Sequence, residues 1–134
     1  NLLRERKRRS DKPFALMARD LDVVKRHCEV SEEKSRVLRG PRRPVVILNR
    51  CTGGTLPPEI APGNNTLGIM LPYTPLHHLL FDGAPYDVLV MTSGNLSEEP
   101  IASRDEEARD RLAPLADYFL LHNRPIQTRA DDSV

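Results

Sequence analysis

Two groups of residues in this 134-residue chain have the types and spacing that phosphate chemistry needs. The first is a basic strip, Arg4, Arg6, Lys7, Arg8, Arg9 and Lys12, ending at Pro13. Lys7 and Arg9 stand two apart where the chain is expected to turn back into a strand. An arginine fork and a lysine point charge at such a junction can grip adjacent phosphate oxygens. The plainer alternative is a solvated helix end whose cations offset the C-terminal dipole. The second group is Thr92-Ser93-Gly94-Asn95-Leu96-Ser97, directly after an apolar run. Ligands of α/β sheets favour the crevice beyond the carboxyl ends of strands. This segment offers hydroxyls and an amide there, and Gly94 would let backbone approach an anion closely. An ordinary turn made of good turn formers is the alternative. Neither a GxGxxG nor a Walker A loop is present, so phosphate would have to be held in another way.

Three further groups carry weaker signals. Residues 71–78 join a strand to a helix whose free N–H groups suit a small carboxylate or carbamate. His77 and His78 are adjacent and point in different directions on a helix, so a metal site is not expected from them. Near the end, Asp131 and Asp132 could bind Mg²⁺, and a solvated acidic turn fits them equally well. Cys28 and Cys51 have no CxxC pairing, so free thiols in a reducing cytoplasm are expected, with a disulfide as the alternative. No Ser/His/Asp order or activated-cysteine setting suggests a nucleophile.

The elements that must position these residues alternate in type. A charged helix end over 2–9 leads to a short buried strand at 13–18. Asp20 should cap a helix over 21–28 with Leu21, Val24 and Cys28 on one face. Ser31 should cap another, with Glu32 and Glu33 in its first turn and Gly40-Pro41 as its stop. A central strand is expected at 44–48, a long loop at 51–65 and a strand at 66–71. Thr74-Pro75 opens a helix that Gly83 ends. Residues 87–92 read as the clearest strand, and Ser103 with Glu106 as a capping box for a helix to Leu112. Further strands are expected at 116–121 and from 126 to 129. The alternation indicates α/β class with a mixed, twisted sheet.

Net charge is only +1, but it is unevenly distributed. Residues 1–43 hold fourteen Lys/Arg against seven Asp/Glu, and residues 44–134 hold six against twelve. That asymmetry favours an anionic ligand near the N-terminal third. No apolar run approaches the roughly 20 residues of a membrane span, so no membrane association and a cytoplasmic location are expected. The length suits one domain over 1–134. Neither Asn1 nor Val134 reads as a natural start or stop, so truncation of a longer polypeptide at both ends is expected.

Four blocks in order, residues 6–15, 70–80, 91–101 and 123–134, together resemble the YrdC-like domain of the hydrogenase-maturation carbamoyltransferases, the HypF type. The resemblance implies a twisted mixed sheet with flanking helices and a concave basic cavity. It also implies formation of carbamoyl-adenylate from ATP and carbamate, with Mg²⁺, in a larger protein. That protein would pass the carbamoyl group to a HypE-type maturation partner, toward the cyanide ligand of [NiFe] hydrogenase. By motif, Lys7 and Arg9 are expected on the triphosphate, Thr92, Ser93 and Asn95 on the nucleotide, and Arg129 near the same cavity. Relatives that make threonylcarbamoyl-adenylate for tRNA usually carry Ser-Ala-Asn, whereas this chain has Ser-Gly-Asn followed by Glu-Glu-Pro. That activity is one alternative. An RNA-binding module is another, although six aromatics without basic interleaving offer little stacking.

Overall fold

The computed structural model describes residues 2–97, 99–130 and 134. They fall into two compact units, one from residues 1–10 and 93–131, the other from 11–92 and 132–134. The larger unit carries the sheet: β1 (Ala15–Ala18), β2 (Val46–Asn49), β3 (Thr66–Met70) and β4 (Val88–Met91), in the order β2-β3-β1-β4. β1 runs parallel to β3, with Leu16 opposite Ile69, and antiparallel to β4, with Leu16 opposite Val90. β2 is antiparallel to β3, with Ile47 opposite Gly68. The expected mixed sheet is therefore what forms.

Register explains the burial. Met17, Met70, Val45 and Phe81 cluster with Ala15, Leu89 and Met91. The alternate positions Leu16, Leu48, Leu67 and Ile69 are also buried, so the central strands are covered on both faces. Gly68 has a steric reason: a Cβ there would lie 3.0 Å from the Val45 side chain. The strand expected to be central at 44–48 is instead the edge strand β2. Its β-branched run reported apolar surroundings, which does not fix the number of neighbouring strands, and Ile47 is 48% exposed. Lys34 Nζ donates to the Ile47 carbonyl at 3.2 Å, which blunts that edge.

Between the strands lie α2 (Leu21–His27), α3 (Glu32–Arg39), a 3₁₀ turn (Pro58–Ile60) and α4 (Pro75–Phe81). Asp20, Ser31 and Thr74 cap the three helices, accepting from the N–H groups of Val23, Lys34 and His77. On α2 Val24 and the C-cap Cys28 are buried as the spacing suggested, Val23 joins them, and Leu21 is only half-buried. Both cysteines are free thiols, and burial, then the nearby Cys51, pushes the Cys28 thiol up to about 11.

The smaller unit holds α1 (Leu2–Arg6) and α5 (Asp105–Leu112). α5 begins later than the expected box. Arg104 occupies the N-cap without a side-chain bond, and Glu107 rather than Glu106 reaches back to the Ser103 N–H at 3.3 Å. The strands expected at 116–121 and 126–129 do not form. Tyr118 is 93% exposed and Leu120 71%, so the apolar alternation there packs against no sheet. Among the described residues no helix is long and apolar enough to cross a membrane.

Candidate anion site

The smaller unit brings together two sequence blocks more than 80 residues apart. α1 ends at Arg6, and Lys7, whose N–H is bonded to Leu3 O, is 1% exposed. Lys7 Nζ donates to the Ser93 carbonyl at 2.7 Å and to Asn95 Oδ1 at 3.3 Å. Ser93 Oγ donates to the same Asn95 oxygen at 2.7 Å, and Asn95 Nδ2 donates to the Glu99 carbonyl at 2.6 Å. Ser97 Oγ closes the arrangement on the Lys7 carbonyl at 2.8 Å. A buried ammonium needs such acceptors. The structure thus brings Lys7, Ser93 and Asn95 together, with the ammonium turned into the Ser-Gly-Asn turn.

Arg9 follows on the same stretch, its N–H on the Arg4 carbonyl at 3.0 Å. Burial first, then the neighbouring Arg4, lowers its tendency to stay charged. An arriving anion would relieve that like-charge strain. Thr92 is exposed, belongs to the larger unit and is joined to Ser93 by one peptide bond. Arg129 is not part of the Lys7 hydrogen-bond set described above. Its guanidinium lies 3.2 Å from Ser103 Oγ and 3.5 Å from the Glu107 carboxylate, at the start of α5. Gly94 has neither a positive φ nor a steric need, since a Cβ there would meet only Leu112 at an ordinary 3.5 Å.

Arg4 and Arg6, members of the basic strip for which a solvated helix end was the plainer alternative, are engaged in bonds rather than left in solvent. Arg4 bonds the carbonyls of Arg9 and Ser10. Arg6 donates to the Leu115 carbonyl at 3.2 Å and pairs with Asp117 at 3.0 Å. Both guanidiniums brace the stretch that carries Lys7: Arg4 within the stretch itself, and Arg6 through partners more than 100 residues on, which no local spacing announces. Arg111 was also missed, although its pairing with Glu107 at i,i+4 is a readable signal.

His77 packs edge-on against Tyr73 at 4.5 Å between ring centroids, so it serves local packing at the start of α4. Among the described residues no group of three or more His, Cys, Asp or Glu could hold a metal ion. Asp131 and Asp132, the candidate Mg²⁺ ligands, lie outside the described residues.

The model of the Sua5/YciO/YrdC family, described as "Telomere recombination", matches residues 1–134. The chain is 54% identical over 134 residues to the carbamoyltransferase HypF of Rhodobacter capsulatus, covering all of this chain and 18% of that protein. It is 43% identical over 132 residues to HypF of Synechocystis sp., covering 98% of this chain and 17% of that one. The chain thus spans less than a fifth of these relatives. The crystal structure of full-length HypF in the phosphate- and nucleotide-bound form is similar with a TM-score of 0.92 and 50% identity, over 98% of this chain and 20% of that one. P. abyssi Sua5 complexed with L-threonine gives a TM-score of 0.70 at 16% identity, over 86% of this chain and 34% of that one, a likeness of fold. The chain belongs to the Sua5/YciO/YrdC family.

Proposed function

We propose that this chain forms carbamoyl-adenylate from ATP and carbamate, as one step of a carbamoyltransferase that serves [NiFe] hydrogenase maturation through a HypE-type partner in the cytoplasm. The observation that carries this reading is the Lys7–Ser93–Asn95 cluster, built from the blocks in which the chain resembles the HypF type. The nucleotide-bound state of a HypF that is 50% identical supports a nucleotide as ligand. A carbamate oxygen attacks the α-phosphorus, the bond to the bridging oxygen breaks, and pyrophosphate leaves. No side chain becomes covalently bonded, so the residues act by position and charge. Lys7 holds the Ser93–Asn95 turn in a set geometry and makes it electropositive, Arg9 supplies a second cation, and a concave basic cavity would enclose the triphosphate. Thr92 and Arg129 are assigned to the nucleotide on motif alone. Mg²⁺ would arrive on the triphosphate and neutralise part of its charge.

The test is exchange of labelled pyrophosphate into ATP by the full chain, with carbamate or threonine plus bicarbonate as co-substrate. Exchange that requires carbamate and proceeds without threonine is expected. Strict dependence on threonine would replace this reading with threonylcarbamoyl-adenylate synthesis. A steeply salt-dependent RNA affinity indifferent to ATP would replace it with nucleic-acid binding.

A further inference from the structure

Next to the Ser93–Asn95 turn a set of charged side chains centres on Arg111, which the proposed chemistry does not use. Asn95 faces two ways: Oδ1 receives Lys7 Nζ and Ser93 Oγ, and Nδ2 needs the Glu99 carbonyl. The segment carrying that carbonyl is fastened to α5 by one side chain. The Arg111 guanidinium donates to the Glu99 carboxylate at 2.8 Å, to the Pro100 carbonyl at 2.7 Å and to the Glu107 carboxylate at 2.5 Å. Glu107 is steadied in turn by the Ser103 N–H and by Arg129. The Ala102 N–H on the Gly94 carbonyl at 2.9 Å closes the loop.

We propose that Arg111 is a positioning residue for the nucleotide-holding turn: by clamping Glu99 and Pro100 to α5 it places the carbonyl that orients the Asn95 amide, so that its oxygen faces Lys7. The planar guanidinium suits this task because it meets three acceptors in fixed directions, which an ammonium on a flexible stem cannot do. A side-chain amide is nearly symmetric in shape, and its orientation depends on which neighbours donate and which accept. Loss of the Glu99 anchor would let Asn95 turn its donor toward Lys7, a like-sign contact. The inference rests on the function proposed above.

The experiment measures binding of α,β-methylene-ATP with Mg²⁺ to the full chain. Asn95→Ala is expected to weaken binding about tenfold and Arg111→Gln about fivefold, the size of coupling seen between groups in one network. Because Arg111 acts through Asn95, the double variant should bind within about twofold of Asn95→Ala alone. Arg111→Lys should recover part of the loss, a rescue that a loss of general packing would not show. Undiminished affinity in Arg111→Gln beside a weakened Asn95→Ala overturns the inference and leaves the nucleotide reading standing. Losses that multiply in the double variant overturn it too. Undiminished affinity in Asn95→Ala removes the nucleotide reading itself. Should Arg111→Gln fail to fold, Glu99→Ala asks the same question on an exposed side chain. About threefold weaker binding is then expected, and unchanged binding overturns the inference.

Discussion

At the scale of single residues, Lys7 sets the character of the site. It is 1% exposed, yet its side chain ends in an ammonium held by a main-chain carbonyl and an amide oxygen. Lys7→Met keeps the aliphatic stem and removes the donor, leaving Ser93 O and Asn95 Oδ1 short of a partner. The expected consequence is a stability loss of about 1–3 kcal/mol in urea unfolding, together with ATP affinity reduced about tenfold or more. Lys7→Arg should not restore affinity, because a wider planar group must enter a filled space. Affinity unchanged in Lys7→Met would mean that the buried ammonium only holds the fold. Lys7, Ser93 and Asn95 were legible because both blocks are short, polar and contiguous. Their convergence was not readable from local spacing, and neither were the bonds from Arg6 to Leu115 and Asp117, which depend on tertiary proximity.

At the scale of elements, caps were the most readable feature. Asp20, Ser31 and Thr74 act where their positions suggested, since the competition of a short side chain for a free N–H is local. α5 is the exception and offers a test. Its N-cap is Arg104, with extended backbone and no cap bond, so a cation stands at the positive end of the helix. Arg104→Ser should raise stability by about 1 kcal/mol, read as a higher urea midpoint at unchanged slope. No gain would show that the Glu107 contact to the Ser103 N–H already satisfies that turn. Strands were less readable than caps. The run at 44–48 is apolar enough for a central position but pairs only with β3 in the described sheet. The segment at 116–121 alternates like a strand but leaves Tyr118 and Leu120 in solvent. Strand pairing is a long-range property, and alternation shows only that a pairing would be tolerated.

At the scale of the whole chain, a net charge of +1 leaves little general self-repulsion near neutrality, so a few shifted groups should govern how stability varies with pH. Among the described residues three carboxyls lie below their ordinary range in the folded state: Asp117 through Arg6, Glu107 through the Ser103 N–H and then Arg111, and Asp20 through the Val23 N–H. Each contributes stability that is complete above the unfolded carboxyl value, about 4, and is lost as pH falls through its lower folded value. Asp117 and Glu107 belong to the smaller unit and Asp20 to the larger, so acid should weaken both. The alkaline side has a different origin. Cys28 keeps its proton up to about 11 when folded, whereas an unfolded thiol releases it at about 8.5. Between those values the folded state binds the extra proton, so its stability declines as pH rises. Urea unfolding at pH steps from 8 to about 11 should show this decline, and Cys28→Ala should flatten it while leaving the acid limb intact. The same protonated thiol should resist alkylation at neutral pH, since only a thiolate reacts. An alkaline slope identical in Cys28→Ala would assign the loss to other groups and remove Cys28 from the account.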